Sequence, residues 1–421
     1  MPLTVFNEIG RLNRVLIHRP GPEIDLMVPE MMEFLLFDDI LDGERARAEH
    51  DAFRSVLVGA GVETLEAQEL LAEVLEEGEV RRALTDRVAR RYGLARDVVA
   101  RLEAAAPPAL AATLIAGVRT GSLVDERQRH FFDLAPVPNY FFQRDPQFVL
   151  GDRVVISSMA TEAREREPAL ARLLFQHHPA LAGGGVVALS RPPFGGPDHD
   201  PETIDSTVEG GDVLVASPEV LLVGLSERTN RRGVEALGEE LRSRRTTFRS
   251  LIVVELPAKR SFMHLDTVFT FIDRDLCLAH LPVVEPDRQQ SAHAYLVDLD
   301  SEALTFRLCS SLTAALAEVG IEPEIVPCGG EDRIHQEREQ WTDGANAFAI
   351  EPGVIVLYQR NRRTLEELAR RGWRVITAED ALGGESVCGR GPTVVTFTGH
   401  ELSRARGGPR CMTMPLERDA L

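Results

Sequence analysis

Lysine is almost missing from this chain of 421 residues: Lys259 is the one lysine among 47 basic residues, and the rest are arginine. That bias is compositional and carries no mechanism by itself. Positive charge is in deficit as well, because 66 acidic residues leave a net charge of −19 at pH 7. Nucleic acid is therefore not an expected partner, since neutralising phosphates needs a basic surface. An acidic field instead attracts small cations. Cysteine is scarce: Cys277, Cys309, Cys328, Cys388 and Cys411 make an odd count with no C-x-x-C pair. A disulfide framework and a zinc ribbon are thereby disfavoured, and a reducing cytoplasm is the expected compartment. No apolar run reaches the roughly 18 residues of a membrane span. The start, "MPLTVFNEIGRLNRVLIHRPG", lacks the basic, apolar and small-residue zones of a signal peptide. Cys411 lies too far from Leu421 for a C-terminal lipidation motif.

What the chain does contain is a recurring unit. "RDPQFVLGDRVVISSMATEARERE" from Arg144, "EGGDVLVASPEVLLVGLSERTNRRGVEAL" from Glu209, "HLDTVFTFIDRDLCLAHLP" from His264 and "DGANAFAIEPGVIVLYQRNRRTLEELARRG" from Asp343 share one plan. A polar residue opens an apolar strand, a turn follows, and a second strand runs toward a helix. "LGDR", "ASPE", "IDRD" and "EPGV" are the turn signals. "TVVTFTG" with "GGPRCMTMP" at the C-terminus and "NRVLIHRPG" at the N-terminus form a fifth copy, split between the ends. The expected class is α/β. In a ring of such units, the strand openings converge at one end. Residues 65 to 118 differ, with helical periodicity and a Pro-Pro break. They predict about four helices inserted into the repeat. The expected division is a catalytic part of residues 1–64 and 135–421 and a helical subdomain of residues 65–134.

The strand openings carry the ionisable residues Asp145, Glu209, His264 and Asp266, with Cys411 in the last copy. Cys411 sits in "RGGPRCMTMP". Its glycines permit close approach of a ligand, and Arg406 and Arg410 are placed to favour a thiolate. A buried filler thiol is the plain alternative. "FMHLD" puts His264 and Asp266 two apart on an expected strand, hence on one face. General acid/base with its partner, a metal pair and a satisfied core histidine all fit that spacing. "PNYFFQRDP" offers Asn139, Phe142 and Asp145 in what is also a plain turn with an apolar anchor. Arg164 and Arg228 follow second strands, where solvated helix starts are common and carboxylate clamps possible. Together, the carboxylates, histidine, arginines and thiol suit a small substrate that is cationic at one end and anionic at the other.

At these residues the sequence resembles the arginine deiminases of the guanidine-modifying superfamily. The resemblance runs through "EIGRLNRVLIHRPG", "LLFDDIL", "EHDAF", "PNYFFQRD", "EGGDVLV", "GLSERTN", "HLDTVFT", "EQWTDGANAFAIEPGVIVLYQRN" and "RARGGPRCMTMP". It implies a five-bladed pseudo-symmetric ββαβ propeller of the pentein type, and hydrolysis of L-arginine to citrulline and ammonia through a covalent thiouronium. It implies Cys411 as nucleophile, His264 as general acid/base, Glu209 as partner of both His264 and the guanidinium, and Asp145 and Asp266 as guanidinium grips. Asn139, Arg164 and Arg228 would hold the α-carboxylate, and Phe142 would pack on the aliphatic stem. Arg406 would gate the thiol, and Leu36 and Asp38 would close the site. No metal and no cofactor is implied, and a homo-oligomer is expected. Ala405 and Arg410 depart from a glycine and a histidine in other members. An amidinotransferase, a dimethylarginine hydrolase and a silent arginine-binding protein on the same fold are the alternatives.

Overall fold

The computed structural model describes residues 2–120, 131–189, 206–285 and 290–421. Apolar β-branched runs closed by tight turns dominate it, and these form hairpins. Gln147–Leu150 pairs antiparallel with Arg153–Ile156. Val213–Ser217 pairs in the same way with Val220–Leu225, Phe269–Asp273 with Leu276–Ala279, and Phe348–Glu351 with Val354–Tyr358. All four predicted turns lie between these partners. Three of the hairpins carry a register shift at the same place beside the turn, at Val215/Ser217, Phe271/Asp273 and Ala349/Glu351. A bulge there re-aims the strand end.

Each hairpin then gains a parallel strand. Gly185–Ala188, Ser250–Glu255, Glu324–Pro327 and Thr393–Phe397 pair parallel with the second strand of their hairpins. Parallel pairing needs a long crossover, which helices such as Arg166–His177, Arg231–Ser243 and Arg362–Arg370 supply. The split copy is assembled from both chain ends: Met414–Arg418 pairs antiparallel with Leu12–Ile17, which pairs parallel with Glu63–Glu66. Its crossover is the helix Gly43–Gly59. Two further strands, His293–Asp298 and Arg307–Cys309, widen the second sheet to five strands.

The predicted helices of the insertion are Ala67–Val74, Gly78–Tyr92, Arg96–Ala104 and Pro107–Ala116. Pro107 occupies the first turn of the last one, where its missing N–H costs nothing. Leu65 and Glu66, at the expected start of the insertion, pair with Leu16 and Ile17 in the sheet of the split copy. Residues 121–130 of the expected subdomain lie outside the described residues. Leu71, Leu84, Leu110 and Leu114 share one hydrophobic cluster with Val154, Leu170 and Val213 of the repeat units. No helix among the described residues is long and apolar enough to cross a membrane.

The chain reaches the last copy through a carboxylate clasp. Glu49, buried on Gly43–Gly59, accepts hydrogen bonds from the backbone N–H groups of His400 (2.7 Å), Glu401 (3.0 Å) and Leu402 (3.0 Å). An anion is favoured where N–H groups converge at a helical start, here Leu402–Ala405. Glu49→Ala strands these donors and should lower the unfolding free energy by about 2–3 kcal/mol. Denaturant unfolding measures it, and a loss below about 0.5 kcal/mol would show that water replaces the clasp.

Candidate active site

Cys411 sits in a turn fastened from three sides. The Asn346 side-chain oxygen accepts hydrogen bonds from the backbone N–H groups of Arg410 (3.0 Å) and Cys411 (3.2 Å). The Asn346 amide donates to the Asp266 carbonyl at 3.0 Å. Arg144 donates its backbone N–H to the Cys411 carbonyl at 3.0 Å, and the Tyr358 hydroxyl donates to the Gly407 carbonyl at 2.7 Å. A Cβ at residue 407 would collide with the Phe142 ring, so only glycine lets this loop lie against it. Asn346 is a functional residue that sequence reasoning passed over. Its signal was positional, since it opens a strand in the fourth copy just as Asp145 and Glu209 do in theirs.

His264 is buried between two carboxylates. Its Nε2 lies 2.9 Å from Glu209 Oε2 and its Nδ1 lies 3.7 Å from Asp145 Oδ1. Burial pushes the imidazole down, but the charges of Asp145, Asp212 and Glu209 outweigh it and hold the pKa up at about 9. Burial likewise opposes ionisation of Glu209, and Arg228 and His264 overcome it to bring Glu209 down to about 2. Glu209 Oε1 also accepts from the Ala160 N–H at 3.0 Å. A Cβ at Gly211 would stand 2.5 Å from His264 Nδ1, so glycine leaves the space the imidazole fills. The strand expected to carry His264 and Asp266 begins only at Phe269, and the two residues flank and enter the turn Leu265–Thr267. Local side-chain bonds win there over the ladder: the Leu265 N–H donates to Asp212 Oδ1 (2.9 Å) and the Thr267 hydroxyl to the His264 carbonyl (2.6 Å).

Asp266 consequently serves a different neighbourhood from His264. Its Oδ2 accepts from Arg410 Nη1 at 2.8 Å and lies 3.8 Å from the Cys411 sulfur. Arg410 is buried, and its remaining donors go to Glu8, at 3.1 and 3.2 Å, and to the Val213 carbonyl at 2.8 Å. Arg410 and Arg144 bring Glu8 down to about 2 against its burial. The expectation that Arg406 and Arg410 favour a thiolate is not met. Burial, then Asp266, Asp145 and Asp343, push the Cys411 thiol well above its ordinary value. Arg410 is spent on carboxylates, and Arg406 stacks on Trp341 with its guanidinium carbon 3.6 Å from the ring centre.

One pocket gathers most of the predicted residues. Leu36, Asn139, Phe142, Asp145, Arg164, Arg228, His264, Arg406 and Cys411 line it, together with Arg260, Met263, Thr267 and Ala405. Its free space is about 20 Å³, room for about one water. A larger cavity of about 620 Å³ adjoins it, and Leu36, Arg228 and Arg260 line both. Asp38 faces the outer cavity and pairs with Arg260 at 2.8 Å. Arg164 differs from the expected free clamp. It donates to Asp145 at 2.8 Å and holds Glu167 through two bonds of 2.9 and 2.7 Å. Asp145 Oδ1, Asp266 Oδ1, Arg228 Nη1 and two nitrogens of Arg406 are buried without a hydrogen-bond partner. A ligand carrying both donors and acceptors would give these atoms partners.

Asp145, Glu209 and His264 are also the one group among the described residues whose ligand atoms lie close enough to hold a metal, within 4.8 Å of one another. The Arg164 guanidinium already stands against this group, 2.8 Å from Asp145 and 3.9 Å from Glu209.

Solved structures similar to this chain place its fold among the amidinotransferase-like α/β proteins. An amidinotransferase from Microseira wollei matches with a TM-score of 0.56 at 13% identity, over 100% of this chain and 98% of its own. The N-terminal domain of ArgZ, covalently bound to a reaction intermediate, matches with a TM-score of 0.53 at 15% identity, over 96% of this chain and 98% of its own. Sequence narrows the class: the arginine deiminase family model matches residues 33–418. Arginine deiminases of Listeria monocytogenes (34% identity, 100% of this chain, 98% of the relative) and Clostridium perfringens (36%, 100% and 98%) are similar along their length. The chain belongs to the arginine deiminase family.

The His264 pKa is raised on folding from 6.5 to about 9, so the imidazolium contributes stability that is fully present below pH 6.5 and lost as pH rises through about 9. The stability difference between wild type and His264→Gln should therefore stay constant below pH 6.5 and shrink between pH 6.5 and 9. Urea unfolding across that range measures it. A flat difference would mean that the imidazole is neutral in the folded protein.

Proposed function

We propose that the protein hydrolyses L-arginine to L-citrulline and ammonia, with Cys411 as nucleophile. One observation carries this reading: the Cys411 thiol, the His264 imidazole and the Asp145 carboxylate share a pocket in which one oxygen of Asp145 lacks a hydrogen-bond donor, and Asp266, with one such oxygen of its own, stands beside the thiol. A planar guanidinium supplies N–H donors in the matching fork. Its charge also neutralises Asp145 and Asp266, two of the three carboxylates that push the thiol up, so substrate arrival favours the thiolate, and the thiol's proton leaves to water. The thiolate then adds to the guanidinium carbon. The imidazolium of His264 protonates one terminal nitrogen, the C–N bond breaks, and ammonia leaves. His264, now neutral, takes a proton from water. The hydroxide adds to the thiouronium carbon, the C–S bond breaks, and citrulline and the thiol are released. Glu209 steadies the imidazolium, and Phe142 packs on the stem.

Arg228 and Arg406, with unpaired donors, suit the α-carboxylate end. Asn139 lines the same pocket. We assign Arg164 to holding Asp145 and Glu209 in place, since its guanidinium already serves their carboxylates and Glu167. Leu36 closes the pocket, and Asp38 acts on it from the outer side. The five sheets are read as the blades of a propeller of the pentein type, with residues 65–134 inserted as a helical subdomain. A cytoplasmic homo-oligomer completes this reading.

Cys411→Ser should lower citrulline formation from arginine roughly 10⁴-fold or more. Acid-quenched wild type should carry a thiouronium adduct on Cys411 by mass spectrometry. Transfer of the amidino group to an added amine with no ammonia release would replace this reading with an amidinotransferase.

A further inference from the structure

The pocket is walled off, and the wall has a latch. Leu36, Arg228 and Arg260 separate the inner space of about 20 Å³ from the outer cavity of about 620 Å³. An arginine molecule is far larger than one water, so the wall must move for it to enter. Two side chains fasten it. Asn139 donates to the Leu35 carbonyl at 2.8 Å. Arg260 grips Asp38 through Nη2–Oδ2 at 2.8 Å and Nε–Oδ1 at 3.3 Å, and its Nη2 also reaches the Leu36 carbonyl at 3.5 Å. Between these fastenings Leu36 adopts φ 56°, a left-handed conformation that costs a leucine about 1 kcal/mol or more. The wall is thus a strained segment held shut by exchangeable contacts.

The donors available to a substrate carboxylate are few. Arg164 is taken up by Asp145 and Glu167, and the Asn139 amide is spent on the wall itself. Arg228, whose Nη1 makes no hydrogen bond and lies 4.0 Å from Glu209, and Arg406, whose Nε and Nη1 make none, remain inside the pocket, and Arg260 remains at its entrance. Its partner is the half-exposed Asp38, with side-chain exposures of 32% and 26%, and a pair so exposed to solvent is weak. A second carboxylate arriving from the outer cavity competes for the same guanidinium fork on equal chemical terms.

We propose that Arg260 is a specificity-determining residue that exchanges Asp38 for the α-carboxylate of the substrate, coupling recognition of that carboxylate to release of the Leu36 wall. A guanidine without a carboxylate has nothing to offer Arg260 and leaves the latch closed. Selection for an amino acid over a simple alkylguanidine is then exerted at the entrance, apart from the guanidinium grip. This inference rests on the arginine-hydrolysing reading of the same site.

The test uses the full chain, with L-arginine and with agmatine, which is arginine without its α-carboxylate. Agmatine is followed as substrate or, where it is not turned over, by its inhibition constant. Arg260→Ala should raise the KM for L-arginine about 10–100-fold, the range expected for a lost charged hydrogen bond. The constant for agmatine should not rise, since the variant has no latch to hold the wall shut against it, so that the ratio of the two collapses. Arg260→Lys keeps a charge without the fork and should recover part of the arginine KM. Unchanged thermal unfolding of both variants would exclude a folding defect, which the exposure of this side chain makes a minor concern. An unchanged KM for L-arginine in Arg260→Ala overturns the inference whatever agmatine does, and so does an equal weakening of both compounds. Wild type that forms no citrulline from arginine overturns the underlying reading instead.

Discussion

Of the three carboxylates that bear on the thiol, Asp145 and Asp266 are each half satisfied. Asp145 gives one oxygen to Arg164 and Asp266 gives one to Arg410, while the other oxygen of each accepts no hydrogen bond, that of Asp145 lying 3.7 Å from His264 Nδ1. A buried carboxylate without any cation would take up a proton, and one fully paired would have nothing left for a substrate. The structural arginines resolve this by supplying half of what each acid needs. They are themselves anchored on further acids, Glu167 behind Arg164 and Glu8 behind Arg410. Acid–arginine–acid chains of this kind keep the inner carboxylates fixed, and fixed charges cost no reorganisation when a cation arrives.

The same arrangement explains the protonation states. With the inner acids close by, the imidazole of His264 is held up at about 9 and the Cys411 thiol is pushed well above its ordinary value. At neutral pH the acid is therefore charged and the nucleophile is not. A bare thiolate is an oxidation target as well as a nucleophile. Keeping it protonated until a cation sits on Asp145 and Asp266 ties reactivity to occupancy, and it does so with the groups that bind the cation.

Much of this was legible in the sequence because the chain repeats itself. The four turns, the apolar strands and the polar openings recur; Asp145, Glu209 and His264 were singled out at those openings, and Cys411 by the glycines and arginines around it. The split copy was legible in part: Met414–Arg418 does pair with Leu12–Ile17, but Thr393–Phe397 of "TVVTFTG", expected in the same copy, pairs with Val354–Tyr358 in the fourth sheet instead. What stayed hidden depends on contacts between copies. Whether Arg410 faces the thiol or Glu8 is decided by a partner 402 residues away in sequence. The turn at Leu265–Thr267 is decided by Asp212 and by the hydroxyl of Thr267, which a period-two reading of "FMHLD" does not weigh. Arg260 and Asp38 lie 222 residues apart, and neither stands at a strand opening.

Sequence distance also says when the site comes into being. Cys411 is held by Asn346 and Arg144, its neighbour Asp266 is held by Arg410, and Arg410 is held by Glu8. Glu8 lies a short turn before the strand Leu12–Ile17, and Arg410 a short turn before Met414–Arg418, the two strands that pair across the split copy. Loop closure on this scale costs entropy that only the completed contacts repay. The arginine that fixes Asp266 beside the thiol is thus secured by the same event that pairs the two termini. A partly folded chain has the residues of the site without their spacing. The charge chain through Glu8, Arg410 and Asp266 ties the placement of Asp266 beside the thiol to the pairing of Leu12–Ile17 with Met414–Arg418.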